Sequence, residues 1–264
     1  MLGFLALLDL PPVYSARELL AKEFPQDPWL IEPLLSRGGD WLLAGDADSF
    51  KSLFLVQLCI HASLGLDYLH LKIEKPLKIL YINLDDNLRM VQKRLNQLNI
   101  TGLPLDDNFK VVCQPPIKLD PAGCEAMKQW VNDHTPDIFI LDHLAGFVPG
   151  GTTDHHGMQD YVLFQKWVCN QGIGFAAVAH ITRDTKDNAD QSYERRIAGV
   201  GLVISGHGVI TFHDCLENTV AMKGERFFMA MIRNKNFDKE EMMLYNTTVE
   251  VQKLGNGTTL LKEV

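Results

Sequence analysis

The stretch Trp41-Leu-Leu-Ala-Gly-Asp-Ala-Asp-Ser-Phe-Lys-Ser52 decides how the chain is read. Four apolar residues, Trp41 to Ala44, predict a short buried strand, and Gly45 ends it. A helical pattern follows Lys51: Leu53, Phe54, Val56, Gln57, Leu58 and Ile60, with small residues between. Strand, tight loop, Lys-Ser and helix is the layout of a phosphate-binding loop. Such a loop curls backbone N–H groups around phosphate oxygens at a helix N-terminus, where the dipole favours an anion. The candidate nucleotide-binding residues are therefore Gly45, Asp46, Ala47, Asp48, Ser49, Phe50, Lys51, Ser52 and Leu53. In this layout Lys51 reaches the terminal phosphates and the Ser52 hydroxyl holds Mg²⁺.

The stretch departs from the pattern G-x-x-x-x-G-K-[ST] at one place. Gly45, Lys51 and Ser52 are in register, but Phe50 stands where a second glycine gives close backbone approach to phosphate. Asp46 and Asp48 add two carboxylates beside an anion site, which repel a phosphate unless they point to solvent. A strand–turn–helix that binds nothing is the alternative reading of this stretch alone.

The chain has 264 residues, enough for one large α/β domain or two small ones. Its 46% hydrophobic and 22% charged residues are ordinary for a globular protein. A net charge of −8 argues against a dedicated nucleic-acid clamp, which would be basic. The five cysteines (Cys59, Cys113, Cys124, Cys169, Cys215) show no C-x-x-C pair and sit in apolar contexts, which predicts small core residues in a reducing compartment. Met1 to Leu10 is apolar but short, without a basic n-region, and Pro11-Pro12 follow at once. Neither a signal peptide nor a transmembrane helix is expected there; the expected location is cytoplasmic.

The remaining chain alternates apolar strands with helical patterns. Ser15 with Glu18 predicts a capping box opening a short helix to Glu23, and Pro25, Pro28 and Pro33 predict an irregular, extended approach to Gly38-Gly39. Strands are predicted over 77–84, 109–113, 137–142 and 173–179, and helices over 88–98, 121–132 and 158–171. Asp120 is the expected cap of the second of these helices, with Pro121 at its first position. Gly146 to Gly157 reads as a glycine-rich loop, and Thr182 to Arg195 as an exposed polar one. From Gly199, short runs at 209–213, 226–233, 241–245 and 247–253 predict strands, mostly antiparallel. The fold class is thus α/β: a mostly parallel twisted sheet covered by helices, with antiparallel strands at the C-terminal end.

In such a sheet, ligands bind at the carboxyl ends of the strands. There the sequence places the loop after Ala44, then Asp85-Asp86, Asp142 and His180. Asp142 suits the second carboxylate of a nucleotide site, binding Mg²⁺ directly or through water; its alternative is a helix-cap or turn aspartate. Asp85 is a candidate to position or deprotonate an attacking water. It weighs evenly against a capping role, since Asp85, Asp86 and Asn87 all suit a helix start. His180 is a candidate sensor of the terminal phosphate, or a satisfied polar residue at a strand end. His155-His156 lack a third ligand at a recognisable spacing and read as exposed loop.

On these motifs the chain resembles RecA-type ATPases close to hexameric replicative helicases, in particular the RepA-like AAA_25 group. The resemblance runs from Ala16 over nearly the whole chain and includes Ser49-Phe-Lys-Ser52, since members with that loop occur. It implies a RecA-like P-loop NTPase core over 41–264, with 1–40 as an N-terminal lead-in helix and extended segment. The segment Ile79-Leu-Tyr-Ile-Asn-Leu-Asp-Asp86 is similar to the one where the group places a catalytic Glu, so the resemblance gives that role to Asp85, one methylene shorter. Ile138 to Asp142 resembles the Walker B strand, and Ala177-Val-Ala-His-Ile-Thr-Arg183 the strand ending in a phosphate-sensing histidine. The group's later arginine is missing around Ala198 to Gly208, so the resemblance moves the arginine-finger role to Arg233, with Lys235, or leaves these as solvated charges.

The resemblance implies ATP with Mg²⁺ as ligands, ATP hydrolysis, a homo-oligomer such as a hexamer-like ring, and possible action on single-stranded DNA in replication or DNA metabolism. A non-catalytic or weakly active nucleotide-binding subunit, structural or regulatory, is the alternative. No membrane partner is expected.

Overall fold

The computed structural model of the chain describes residues 12–23, 29–45, 51–150, 155–180, 208–214, 226–234, 247–253 and 259–263. In chain order these form α1 (Ala16–Ala21), β1 (Trp29–Ile31), β2 (Leu35–Ser36), β3 (Asp40–Gly45), α2 (Lys51–Leu64), β4 (Ile79–Asn83), α3 (Leu88–Leu98), β5 (Phe109–Cys113) and α4 (Pro121–His134). There follow β6 (Ile138–Asp142), α5 (Leu144–Phe147), α6 (His155–Asn170), β7 (Gly174–His180), β8 (Gly208–Asp214), β9 (Arg226–Asn234), β10 (Thr247–Lys253) and β11 (Thr259–Glu263). The strand expected over 241–245 and the loop over 182–195 lie outside the described residues.

The large sheet has the order β11-β10-β9-β8-β3-β7-β6-β4-β5. From β8 to β5 neighbouring strands run parallel. From β8 to β11 each pair is antiparallel. From β3 to β7 the strands are joined through helices, as parallel neighbours require, and the last strands each pair antiparallel with the strand before them in sequence.

Alternation along the central strands feeds two cores, one on each face. Trp41, Leu43, Ile79, Tyr81, Ile138, Ile140, Ala176 and Val178 face α2 and the end of α3. Their neighbours Leu42, Ala44, Leu80, Ile82, Phe139, Leu141, Phe175 and Ala177 face α4, α5 and α6. Two-sided burial explains why these strands read as continuous apolar runs. On the second face Phe139 lies 5.5 Å from Phe164 edge-on and 5.9 Å from Phe175 in a stack, an aromatic joint between the sheet and α6.

Local chemistry sets the helix ends. Ser15 and Glu18 make the expected capping box of α1. Asp120 accepts the Gly123 N–H at 2.8 Å, with Pro121 at the first helical position. Gly38, at φ 65°, makes the turn before β3; a Cβ there would stand 2.8 Å from the Cys169 carbonyl oxygen. The prolines before it do not produce irregular chain throughout: β1 and β2 pair as a small hairpin. Its Leu30, Ile31, Leu34 and Leu35 join the α2-side core.

Two local expectations need correction. The glycine-rich segment 146–157 is not one loop, because Gly146 and Phe147 belong to α5 and His155-His156 begin α6. Gly146 is there for contact rather than for flexibility: a Cβ would meet the Leu84 Cδ1 at 2.6 Å. The second correction is β11, which the sequence reading left out; it pairs with β10 from Val249↔Glu263 to Lys253↔Thr259.

Candidate nucleotide-binding site

Register brings the expected residues to one rim. Gly45 of β3 pairs with His180 of β7 and with Phe212 of β8. Asn83 of β4 pairs with Asp142 of β6 and with Cys113 of β5. The strand ends that carry Gly45, His180, Asp142 and the Leu84–Asn87 loop therefore form a single carboxyl edge. Residues Asp46, Ala47, Asp48, Ser49 and Phe50 lie outside the described residues, as does Lys235.

Helix α2 starts at Lys51, whose side chain is only 4% exposed, and runs under the sheet with ten buried residues. Leu53 in its first turn packs against the α2-side core. Ser52 is half-buried and hydrogen-bonds the Asp142 carboxyl. That contact joins the Lys-Ser pair to the end of β6, although one strand, β7, stands between β3 and β6.

Asp142 is 2% exposed. Its Oδ2 accepts the Tyr81 hydroxyl at 2.5 Å, and that hydroxyl accepts Asn83 Nδ2 at 3.0 Å. Burial pushes the Asp142 carboxyl above the ordinary aspartate range; the Tyr81 and Ser52 hydrogen bonds pull the other way, and nearby Asp85 adds to the rise. Burial, and then Asp142 itself, lifts the Tyr81 hydroxyl well above its usual value, so it stays a donor. Asp142 is not a helix cap: the N-cap of α5 is His143. A buried carboxylate held short of comfortable ionisation, with a hydroxyl beside it, is a hard oxygen pair that fits Mg²⁺.

The loop after β4 carries Asp85 and Asp86. Helix α3 is capped by Asn87, whose Oδ1 accepts the Met90 N–H at 3.0 Å, so capping does not occupy Asp85. The Asp85 side chain is 57% exposed, and its Oδ1 lies 3.2 Å from His143 Nδ1. Asp86 pairs with Arg94 of α3, and its N–H donates to Asn83 Oδ1 at 2.7 Å. A hydrogen-bonded chain thus runs from Asp142 through Tyr81 and Asn83 to the Asp86 backbone.

Sequence reading missed Tyr81, Asn83 and His143. Tyr81 and Asn83 were visible as polar groups in an otherwise apolar strand, and buried polar groups need partners. His143 carried no signal beyond its place next to Asp142. Among the described residues, no cluster of three or more His, Cys, Asp or Glu could hold a metal ion. Arg233 is not brought to this rim. It pairs with Val209, beside the Gly208 that pairs with Trp41, so it lies at the amino edge of the parallel strands. From Trp41 to Gly45 that edge is roughly 13 Å from the carboxyl rim at the rise of a β-strand.

Solved structures of similar fold include a KaiC-like protein from the hyperthermophilic archaeon Pyrococcus horikoshii OT3, at 11% identity and a TM-score of 0.59, covering 88% of this chain and 93% of that one. The RadB recombinase aligns at 9% identity and a TM-score of 0.60, covering 87% and 92%. At such identities the likeness is one of fold. No curated protein matches the sequence. No helix among the described residues is long and apolar enough to cross a membrane. Residues 7–186 match the AAA domain family AAA_25, and the chain, folded as a RecA-like ATPase, belongs to that family.

Proposed function

We propose that this protein binds ATP with Mg²⁺ at the carboxyl rim and hydrolyses it. The observation that carries the reading is the contact of Ser52, next to Lys51 at the start of α2, with the buried Asp142 carboxyl. In this reading Lys51 neutralises the terminal phosphates, Gly45 to Leu53 wrap them, and Ser52 and Asp142 hold the cation, which would screen the developing phosphate charge. Asp85 accepts a proton from the attacking water, and His180, at the end of β7, senses the terminal phosphate. Residues 41–264 act as the ATPase domain and 1–40 as its lead-in. The working form is a homo-oligomer, such as a hexamer-like ring, in which Arg233 with Lys235 meets a neighbour's nucleotide. Its setting is the cytoplasm, with DNA replication or DNA metabolism, and a helicase-like action on single-stranded DNA, as the process served.

Calorimetry tests the core of this reading. Wild type should bind ATP only with Mg²⁺, and Lys51→Ala should lose most of that affinity. Equal affinity of the two proteins would reject the phosphate-loop assignment. A weakly active regulatory or structural subunit is the second reading, favoured by the exposure of the short Asp85 side chain. Turnover measured with and without single-stranded DNA separates the two: an ATPase hydrolyses, and a helicase-like one accelerates on DNA.

A further inference from the structure

We propose that His143 is the positioning residue of this site, fixing the Asp85 carboxylate where a longer glutamate would need no such help. The inference rests on the ATPase reading above and adds to it the residue that makes Asp85 competent.

The backbone around Asp85 is tied down on every side. The N–H of Leu84 donates to the Asp142 carbonyl at 2.8 Å, and that of Gln114 to the Asn83 carbonyl at 2.7 Å. Gln114 Nε2 donates to the Asp85 carbonyl at 3.3 Å. The N–H of Asp86 is held by Asn83 Oδ1, and its carboxylate by Arg94. What remains free is the rotation of the Asp85 side chain, which is more than half exposed. An exposed carboxylate on a fixed backbone samples several rotamers, and only some aim it at the site.

The His143 side chain removes that freedom. It is 21% exposed, and its Nδ1 lies 3.2 Å from Asp85 Oδ1. A carboxylate only accepts, so Nδ1 carries the proton and donates it. The hydrogen bond engages Oδ1 and leaves Oδ2 as the acceptor. The backbone of His143 is itself held by its neighbours. It follows Asp142 directly, and its carbonyl accepts the Gly146 N–H at 3.2 Å. Gly146, lacking a side chain, lets α5 close down on Leu84, the residue before Asp85. The β6–α5 turn and the β4–α3 loop are thereby held as one unit. General-base efficiency depends on placement, and a misplacement of about 1 Å can cost on the order of a hundredfold in rate.

The experiment measures single-turnover ATP hydrolysis and nucleotide affinity for wild type, His143→Ala, His143→Asn, Asp85→Ala and the double variant Asp85→Ala/His143→Ala. Asparagine places an amide N–H near the position of Nδ1. We expect His143→Ala to lose about ten- to a hundredfold in hydrolysis rate with unchanged affinity. His143→Asn should recover to within about threefold of wild type, and His143→Ala should cost nothing further once Asp85 is alanine. Full turnover in His143→Ala would overturn the proposal, as would equal losses in both backgrounds or an asparagine variant no better than alanine. In each of these cases the ATPase reading survives. A wild-type protein that binds but never hydrolyses ATP would overturn the proposal together with the catalytic part of that reading, and one that binds no nucleotide would overturn both entirely.

Discussion

Replacing Asp142 with asparagine should make the ligand-free protein more stable while destroying its cation site. Asparagine keeps the shape of the side chain, and its Oδ1 still accepts the Tyr81 hydroxyl. What it removes is a negative charge held at 2% exposure, whose burial cost the Tyr81 and Ser52 hydrogen bonds only partly offset. The sign follows from the raised carboxyl. The native state holds the Asp142 proton more tightly than the unfolded chain, so the contribution of Asp142 to stability falls as pH rises from about 4, the unfolded value, through the higher native one, and is flat beyond. The advantage of Asp142→Asn grows over that same window. Relief of a functional-site strain of this kind is worth about 1–2 kcal/mol. At about 2–4 °C per kcal/mol for a chain of this size, the melting midpoint near pH 8 should rise by about 2–8 °C. Differential scanning calorimetry from about pH 5 to pH 8 reads both the rise and its narrowing towards acid. Saturating Mg²⁺ and ATP should reverse the ranking, since ligand at a hundred times its Kd adds about 2.7 kcal/mol to wild type alone. A less stable variant at pH 8, or a gap that ignores pH, would refute the argument that Asp142 is a buried charge kept for a ligand.

Further expectations concern turnover, assembly and the core. Asp85→Glu should raise the hydrolysis rate if reach limits Asp85, whereas a rate below wild type would show that the His143 contact suits only the shorter side chain. If Arg233 with Lys235 meets a neighbour's nucleotide as proposed, Arg233→Ala should bind ATP and assemble yet lose about three to five orders of magnitude in turnover. Mixing it with Lys51→Ala should restore part of the rate, and a preparation that stays monomeric with ATP at high concentration would remove the basis for that test. Phe139→Ala opens the aromatic joint with Phe164 and Phe175 and should cost about 3–5 kcal/mol in urea unfolding. A loss below about 1 kcal/mol would mean that α6 collapses onto the gap.

The parts of the fold that sequence made legible are those where one physical rule acts alone. Helix α3, with Val91 and Leu98 buried, has the limits its periodicity predicts, although Leu88 and Met90 are exposed, and β5 and β10 have their expected limits too. Segment 146–157 is not legible from its glycines, because glycine signals a loop, while Gly146 serves close packing against Leu84. Prolines hid the β1–β2 hairpin for a similar reason, since a two-strand ribbon with Leu30 and Leu35 buried tolerates a proline between its strands. At the site, strand ends were readable because a parallel sheet gathers them. The side-chain partners Tyr81, Asn83 and His143 were not, because hydrogen bonds across neighbouring strands depend on register, and register is settled by the whole sheet.

The Tyr81 hydroxyl would have a consequence for which ion the proposed site takes. It engages Asp142 Oδ2, and Ser52 bonds the same carboxyl, so a cation would meet that carboxylate more readily through one oxygen than through both. Calcium gathers six to eight oxygens and often grips a carboxylate through both, whereas magnesium keeps a strict octahedron, much of it water, and is content with a single oxygen per carboxylate. If the rim holds Mg²⁺ as proposed, a phenol buried one strand away would favour contact through a single carboxylate oxygen and so the smaller ion, a form of selectivity built from a hydrogen bond rather than from the size of a cavity.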